Sequence, residues 1–384
     1  MKKGTMVVTG ILAMIFSLLT ACSVQDAIPD NSLVDDAKSI TLAIGTKPML
    51  QLNSSTRASK QMAPEMENCI KTLDVFQFDT EGNHDRKTGY SHREFVDDGN
   101  PTGVLETTIT EKLLPNMRTL CVLANVPQEQ ISAFYVKVAG QTGQTVGRVT
   151  FDDIKQWAVR FNYIQRTDDA SVDSAGMVRQ MYMFGYYDGV LPSGVTGDKL
   201  QIVLGRLTAR LDITINNKSS QQIAANELLY HFDNVPVESY VFPGNASMKP
   251  DVVDDAENYM LNTEALEPNK GSFTRYFYVG ENVAKSPDEA TYLHLFYKKG
   301  GFAEPGKVVK GGKKIALCNS SPSDIESGKN ESWQLHRNTI YSVTINLVDA
   351  SDTSSSAAAK IRTRAGATPG EIVYDVPIAC ILGE

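Results

Sequence analysis

The sequence predicts a mainly β protein, organised as two β-sandwich domains with a few short helices. Three observations carry that expectation. Short runs rich in β-branched and aromatic residues recur along the chain, separated by clusters of Gly, Pro, Asn and Asp. Helical periodicity is confined to two segments, 127–138 and 150–164. The chain of 384 residues has room for two domains of roughly 100–200 residues each. Hydrophobic residues make up 42% and charged residues 21%, a composition that buries cores. The formal net charge of −8 argues against a nucleic-acid partner, which needs a basic face.

The elements follow in order. Lys2 and Lys3 precede an uncharged apolar run from Met6 to Ala21, the pattern of an export signal over residues 1–21. No later segment is long and apolar enough to span a bilayer. Residues 23–37 read as a polar tether. From Ser39 the chain alternates, with Ile40, Leu42 and Ile44 on one face and Ser39, Thr41 and Ala43 on the other, the period of a half-buried strand. Directly behind it, residues 53–60 form a small polar run with Arg57 near its middle. A first domain is expected over 58–196. Its strand Ile70–Phe78 ends at the turn cluster 79–83, and the apolar run Arg118–Ala124 suits a strand covered on both faces. Pro127 suits the first turn of a helix to Val138. Thr150 is the N-cap expected for a helix to Ile164, with Asp152 and Asp153 in its first turn. Met177–Tyr187 returns to strand character.

A boundary is expected near 191–198. The second domain, 197–348, carries strand signals at 199–204, 206–215, 227–232, 239–242, 273–279, 291–297, 314–317 and 339–347. Residues 349–370 form a low-complexity linker. It feeds a terminal segment, 371–384, in which Ile372, Tyr374, Val376, Ile378, Cys380 and Leu382 share one face. A long linker before an amphipathic strand is suited to reaching another site, on its own domain or on a neighbour. Pro377 lacks an N–H and suits a strand with one edge turned away from a partner.

Catalytic patterns are missing from the sequence. The five histidines, His84, His92, His231, His294 and His336, have no paired ligand spacing, so neither metal nor other cofactor is expected. His294 reads as a packed or edge histidine. The acid-and-amide alternation from Asp79 has His84 and Tyr90 where a calcium loop needs Gly and Glu, and reads as a turn. There is no GxSxG elbow and no phosphate-binding glycine loop, so the expectation is that the chain is not an enzyme. Cys69, Cys121, Cys318 and Cys380 are widely spaced, and Cys121 sits in a core-like run.

Two resemblances extend this reading. Leu19-Thr20-Ala21-Cys22 resembles the lipobox of bacterial lipoproteins. That resemblance implies cleavage before Cys22 and acylation of its thiol, a membrane tether at about 0.8 kcal/mol per buried methylene. The chain as a whole resembles the Bacteroidia-type fimbrillins. The resemblance rests on ordered segments: Ser55-Thr56-Arg57-Ala58, Ile70 to Phe76, Ala124-Asn125, Arg206 to Ile213, Phe277 to Asn282, Thr291-Tyr292-Leu293 and Arg337 to Ile345. It implies two transthyretin-like β-sandwich domains. It implies export to the cell outer membrane as a lipoprotein, with residues 22–57 as propeptide. An arginine-specific protease would cut after Arg57, leaving Ala58 as the new N-terminus. The leaving row Ile40, Leu42 and Ile44 would then be replaced by the donor row Ile372, Tyr374, Val376, Ile378, Cys380 and Leu382 of a neighbouring subunit. The partners implied are other fimbrial subunits, the protease, the outer membrane through lipid, and a host or bacterial surface ligand. The function implied is a stalk or tip subunit of a surface fimbria that supports adhesion. The alternative is a surface lipoprotein that binds glycan or another ligand without polymerising. Arg364-Ala365 is a second cleavable pair, and a cut there would release the donor segment.

Overall fold

A computed structural model of the chain describes residues 39–47, 50–52, 68–96, 103–114, 116–143, 145–160, 165–166, 181–189, 199–236, 238–243, 260–284, 286–302, 311–317, 334–349 and 371–382. Strands dominate, as the alternating pattern predicts. A seven-stranded sheet runs in the order Tyr90–Glu94, Thr72–Asp79, Met117–Ala124, Met183–Asp188, Lys199–Arg206, Ser39–Thr46, Glu106–Lys112. Met117–Ala124 is buried on both faces, matching its continuous apolar run. Leu120 and Val122 join Ile40, Leu42, Ile44, Leu73, Val75, Ile202 and Leu204 in one core cluster. This cluster runs across six successive strands of the sheet, from Thr72–Asp79 to Glu106–Lys112.

The opposite side chains of the same strands, Phe76, Phe78, Cys121 and Leu123, pack against the helix Gln128–Thr142. That helix presents Ile131, Phe134, Tyr135 and Val138 at helical spacing. Pro127 precedes it in extended backbone, and Gly143 ends it at φ 69, donating its N–H to the Ala139 carbonyl.

The second helix is much shorter than its pattern predicts. Thr150 caps it with a reciprocal bond to Asp153, but it spans only Phe151–Lys155. The chain then forms the strand Ala158–Arg160, paired antiparallel with Glu238–Tyr240. A distant strand offers backbone bonds to a segment holding Trp157 and Val159, and this tertiary pairing overrides the helical period. Trp157 stays buried and stacks on Phe134 at 4.4 Å.

The C-terminal part is a sandwich. One sheet holds Gln165–Arg166, Ser272–Gly280, Thr208–Asn217 and Thr339–Val348 in that order. The other runs Met260–Leu261, Leu228–Asp233, Thr291–Tyr297, Lys313–Leu317. Leu211, Ile213, Val343 and Ile345 from the first meet Leu228, Tyr230, Leu293 and Leu295 from the second in a single core. The strand Thr339–Val348 pairs parallel with Thr208–Asn217 on one side. Two short strands lie end to end on its other side, Leu50–Leu52 opposite Thr339 to Tyr341 and Glu371–Pro377 opposite Ser342 to Val348.

Candidate functional site: the first strand and its replacement

Ser39–Thr46 is interior to its sheet. Its alternation puts Ile40, Leu42 and Ile44 at 2%, 0% and 2% exposure, while Thr41, Ala43 and Gly45 are half-buried on the other face. It pairs parallel with Lys199–Arg206, Leu42 opposite Leu200, and antiparallel with Glu106–Lys112, Leu42 opposite Ile109. The segment leading out of it holds Lys47, whose N–H bonds the Leu204 carbonyl at 2.7 Å. Lys47 also offers its carbonyl to the buried Arg206 guanidinium at 3.0 Å, which Asn338 meets at 2.9 Å and Asn68 also meets.

The terminal segment is a strand only as far as Pro377. Ile378–Ile381 is a 3-10 turn, so the single apolar face expected through Leu382 is broken. Val376, Ile378 and Ile381 are buried, whereas Leu382 is 55% exposed. The reason is local and tertiary together: Pro377 has no N–H to continue a ladder, and its partner Val348 is the last residue of its own strand. The strand docks within its own chain, on the sandwich edge. Cys22, Arg57 and Ala58 lie outside the described residues, as do the linker positions Arg364 and Ala365.

Three polar clusters accompany these elements. His84, 3% exposed, lies between the Gln77 carbonyl, 2.9 Å from Nδ1, and the Tyr135 hydroxyl, 2.7 Å from Nε2. A carbonyl only accepts, so Nδ1 carries the proton and Nε2 accepts from Tyr135. Burial, more than any other influence, holds the His84 imidazole down at about 4. Below its ordinary value near 6.5 the unfolded chain takes up a proton that the folded chain refuses, so stability falls from about pH 6.5 to about pH 4. The displacement corresponds to about 3 kcal/mol. Urea unfolding near pH 7 and pH 4.5 of the parent and His84→Gln checks this. The parent is expected to lose about 2 kcal/mol more than the variant, the part of the effect reached by pH 4.5, and equal losses would refute the assignment.

His92 works in the opposite sense. Its hydrogen bond to the buried Asp74, 2.8 Å from Nδ1, raises its pKa. Its contribution is therefore present below the unfolded value and lost as pH rises through the folded one. Asp74 also accepts from Tyr90 at 2.6 Å and Gln128 at 2.6 Å, tying strand to helix.

The third cluster was not legible as ligand spacing in the sequence. His231 and His294 stand directly opposite each other on adjacent antiparallel strands, and Lys314 stands opposite His294 on the next. Asp233, two residues from His231 on the same strand face, lies 3.1 Å from His231 Nδ1, 3.8 Å from His294 Nδ1 and 2.5 Å from Lys314 Nζ. Burial acts to raise the Asp233 carboxyl, but the hydrogen bonds and charges of His231 and Lys314 outweigh it and hold it at about 2. Burial lowers His294 to about 4. The His-x-Asp step at 231–233 was the available signal, and its partner lies in a strand some 60 residues on.

Similar architectures occur among solved structures. The tip fimbrial protein Mfa3 of Porphyromonas gingivalis, solved with a C-terminal truncation, is 15% identical, with 80% of this chain and 94% of that one covered at a TM-score of 0.45. A fimbrilin of the same organism is 12% identical over 90% and 98% of the two chains, at 0.47. A fimbrial assembly protein of Parabacteroides distasonis is 11% identical over 83% and 93%, at 0.41. No family model and no curated protein matches the sequence.

Proposed function

We propose that this chain is a structural subunit of a surface fimbria that supports adhesion. It is exported as a lipoprotein acylated at Cys22, cut after Arg57 by an arginine-specific protease, and polymerised by donor-strand exchange with other subunits. The observation that carries the reading is the interior position of Ser39–Thr46, a strand near the start of the chain with partners on both sides. Excision of everything before Ala58 removes three buried side chains, worth roughly 1.5–3 kcal/mol each. It also strips backbone partners from Glu106–Lys112 and Lys199–Arg206, leaving an apolar groove with two unpaired edges. A strand inserted there gains main-chain bonds on both sides and seats alternate side chains, which is β-augmentation. Ile372, Tyr374 and Val376 repeat the i, i+2, i+4 spacing of Ile40, Leu42 and Ile44.

The same cut also removes Leu50–Leu52, which shares the edge of Thr339–Val348 with the terminal strand. Glu371–Pro377 pairs on that edge with Thr339–Val348 alone among the described residues, with Leu382 beyond it accepting from the Gly312 N–H at 3.3 Å, and residues 349–370 give it reach. One-sided pairing is easier to leave than the two-sided pairing the groove offers.

The test is treatment of the purified full chain with an arginine-specific protease, followed by N-terminal sequencing, intact mass and a size distribution. A chain that starts at Ala58, keeps Glu384 and forms a ladder of multimers is the expected result. Loss of residues 365–384, or a cut after Arg57 that leaves only stable monomer, would overturn polymerisation in favour of a surface lipoprotein that binds its ligand singly.

A further inference from the structure

We infer that His231, Asp233 and His294 form a binding site for a divalent transition-metal ion, with zinc the best match. One ring nitrogen of each histidine and one Asp233 oxygen all lie within 4.8 Å of one another. Two ligands at zinc's bond length of roughly 2.0–2.1 Å and a tetrahedral angle sit about 3.3 Å apart. Asp233 Oδ1 lies 3.1 Å from His231 Nδ1 and its Oδ2 lies 3.8 Å from His294 Nδ1, both near that spacing. Two imidazoles and a carboxylate suit a borderline ion such as zinc better than magnesium or calcium, which favour oxygen. Three protein ligands leave a fourth position for water or an outside donor.

The site is built rather than accidental in its supports. The ligands project from adjacent strands in fixed register, not from loops. Both imidazoles rest on Phe296, which is 1% exposed: the ring of His231 stacks on it at 5.6 Å and that of His294 lies 4.1 Å away. His294 Nε2 is 3.2 Å from the Gly311 carbonyl, which only accepts. Nε2 must therefore donate there, and the lone pair is left on Nδ1, the nitrogen facing Asp233. The side chains of His231, His294 and Asp233 remain 12%, 14% and 21% exposed, so an ion has a way in.

Lys314 is the competitor. Its ammonium lies 2.5 Å from Asp233 Oδ2 and neutralises the carboxylate that a metal would use. Its side chain is 54% exposed, so a divalent ion can displace it into water, and its ammonium already lies 5.9 Å from the Tyr292 ring. Metal binding here is thus an exchange of one cation for another, and Lys314 sets its affinity.

The test is calorimetric titration of the full chain with zinc chloride near neutral pH, repeated with cobalt(II) to read the tetrahedral absorption band. One ion per chain is expected. His294→Ala and Asp233→Asn should each weaken binding by at least about tenfold. Lys314→Gln, at a half-exposed surface position, should tighten it severalfold. Zinc binding unchanged by both His294→Ala and Asp233→Asn would overturn the site. So would the absence of binding in both the parent and Lys314→Gln, which requires no core variant to fold.

Discussion

Leu42→Asp is expected to cost the seven-stranded sheet about 4–6 kcal/mol, a large share of the roughly 5–15 kcal/mol an ordinary domain has in reserve. Leu42 is fully buried between Leu200 and Ile109, so the new carboxylate either stays in an apolar core without a partner or the strand leaves. Thr41→Asp and Ala43→Asp place the same charge on the half-buried opposite face and should cost about 1 kcal/mol or less. Urea unfolding of the three variants reads the difference directly. The variant also bears on assembly. If the first strand is a removable plug, Leu42→Asp should speed cleavage after Arg57 and still yield multimers, because the damaged strand is the one discarded. If the strand is instead a permanent part of the sheet, Leu42→Asp should give aggregated or degraded protein with no multimer ladder.

Asn125→Ala should cost about 3–5 kcal/mol, although it removes only a side-chain amide. Asn125 is 2% exposed and ends Met117–Ala124 in the left-handed region at φ 64. Its Oδ1 accepts from the N–H of Lys71 at 2.8 Å and of Thr72 at 3.3 Å. Its Nδ2 donates to the carbonyls of Cys69 at 2.8 Å and Met181 at 3.0 Å. One side chain thus joins the entrances of Thr72–Asp79 and Met183–Asp188 to the end of the strand between them. Alanine strands these buried backbone groups and adds the cost of a Cβ at positive φ, about 1 kcal/mol or more. Asn125→Gly should recover only that last part. Thermal melts of the two variants separate the terms, and a loss below about 1 kcal/mol in Asn125→Ala would mean that water replaces the amide at all four positions.

Much of the fold was readable along the chain. The strands at Thr291–Tyr297, Thr208–Asn217 and Thr339–Val348 lie within two residues of where the alternation puts them. Alternation reflects which side of a strand meets water, and that is decided by neighbours two residues apart. The Thr150 cap was legible for the same reason, since its bond partner Asp153 is three residues away. The end of that helix was not legible, because the competing strand Glu238–Tyr240 lies some 80 residues downstream. The His231–Asp233–His294 cluster was hidden likewise: its histidines are cross-strand neighbours, and no sequence spacing records a cross-strand pair.

The candidate assembly site divides along the same line. That Ile40, Leu42 and Ile44 form one apolar row, and that Pro377 cannot donate to a neighbouring strand, belong to the sequence, because side-chain alternation and a missing N–H are properties of a residue and its immediate neighbours. That the first row is clasped between Lys199–Arg206 and Glu106–Lys112, and that Leu50–Leu52 and Glu371–Pro377 share one edge of Thr339–Val348, was decided by the tertiary structure. Backbone hydrogen bonds are alike for every residue, so the partner of a strand is chosen by which distant apolar rows close into a common core.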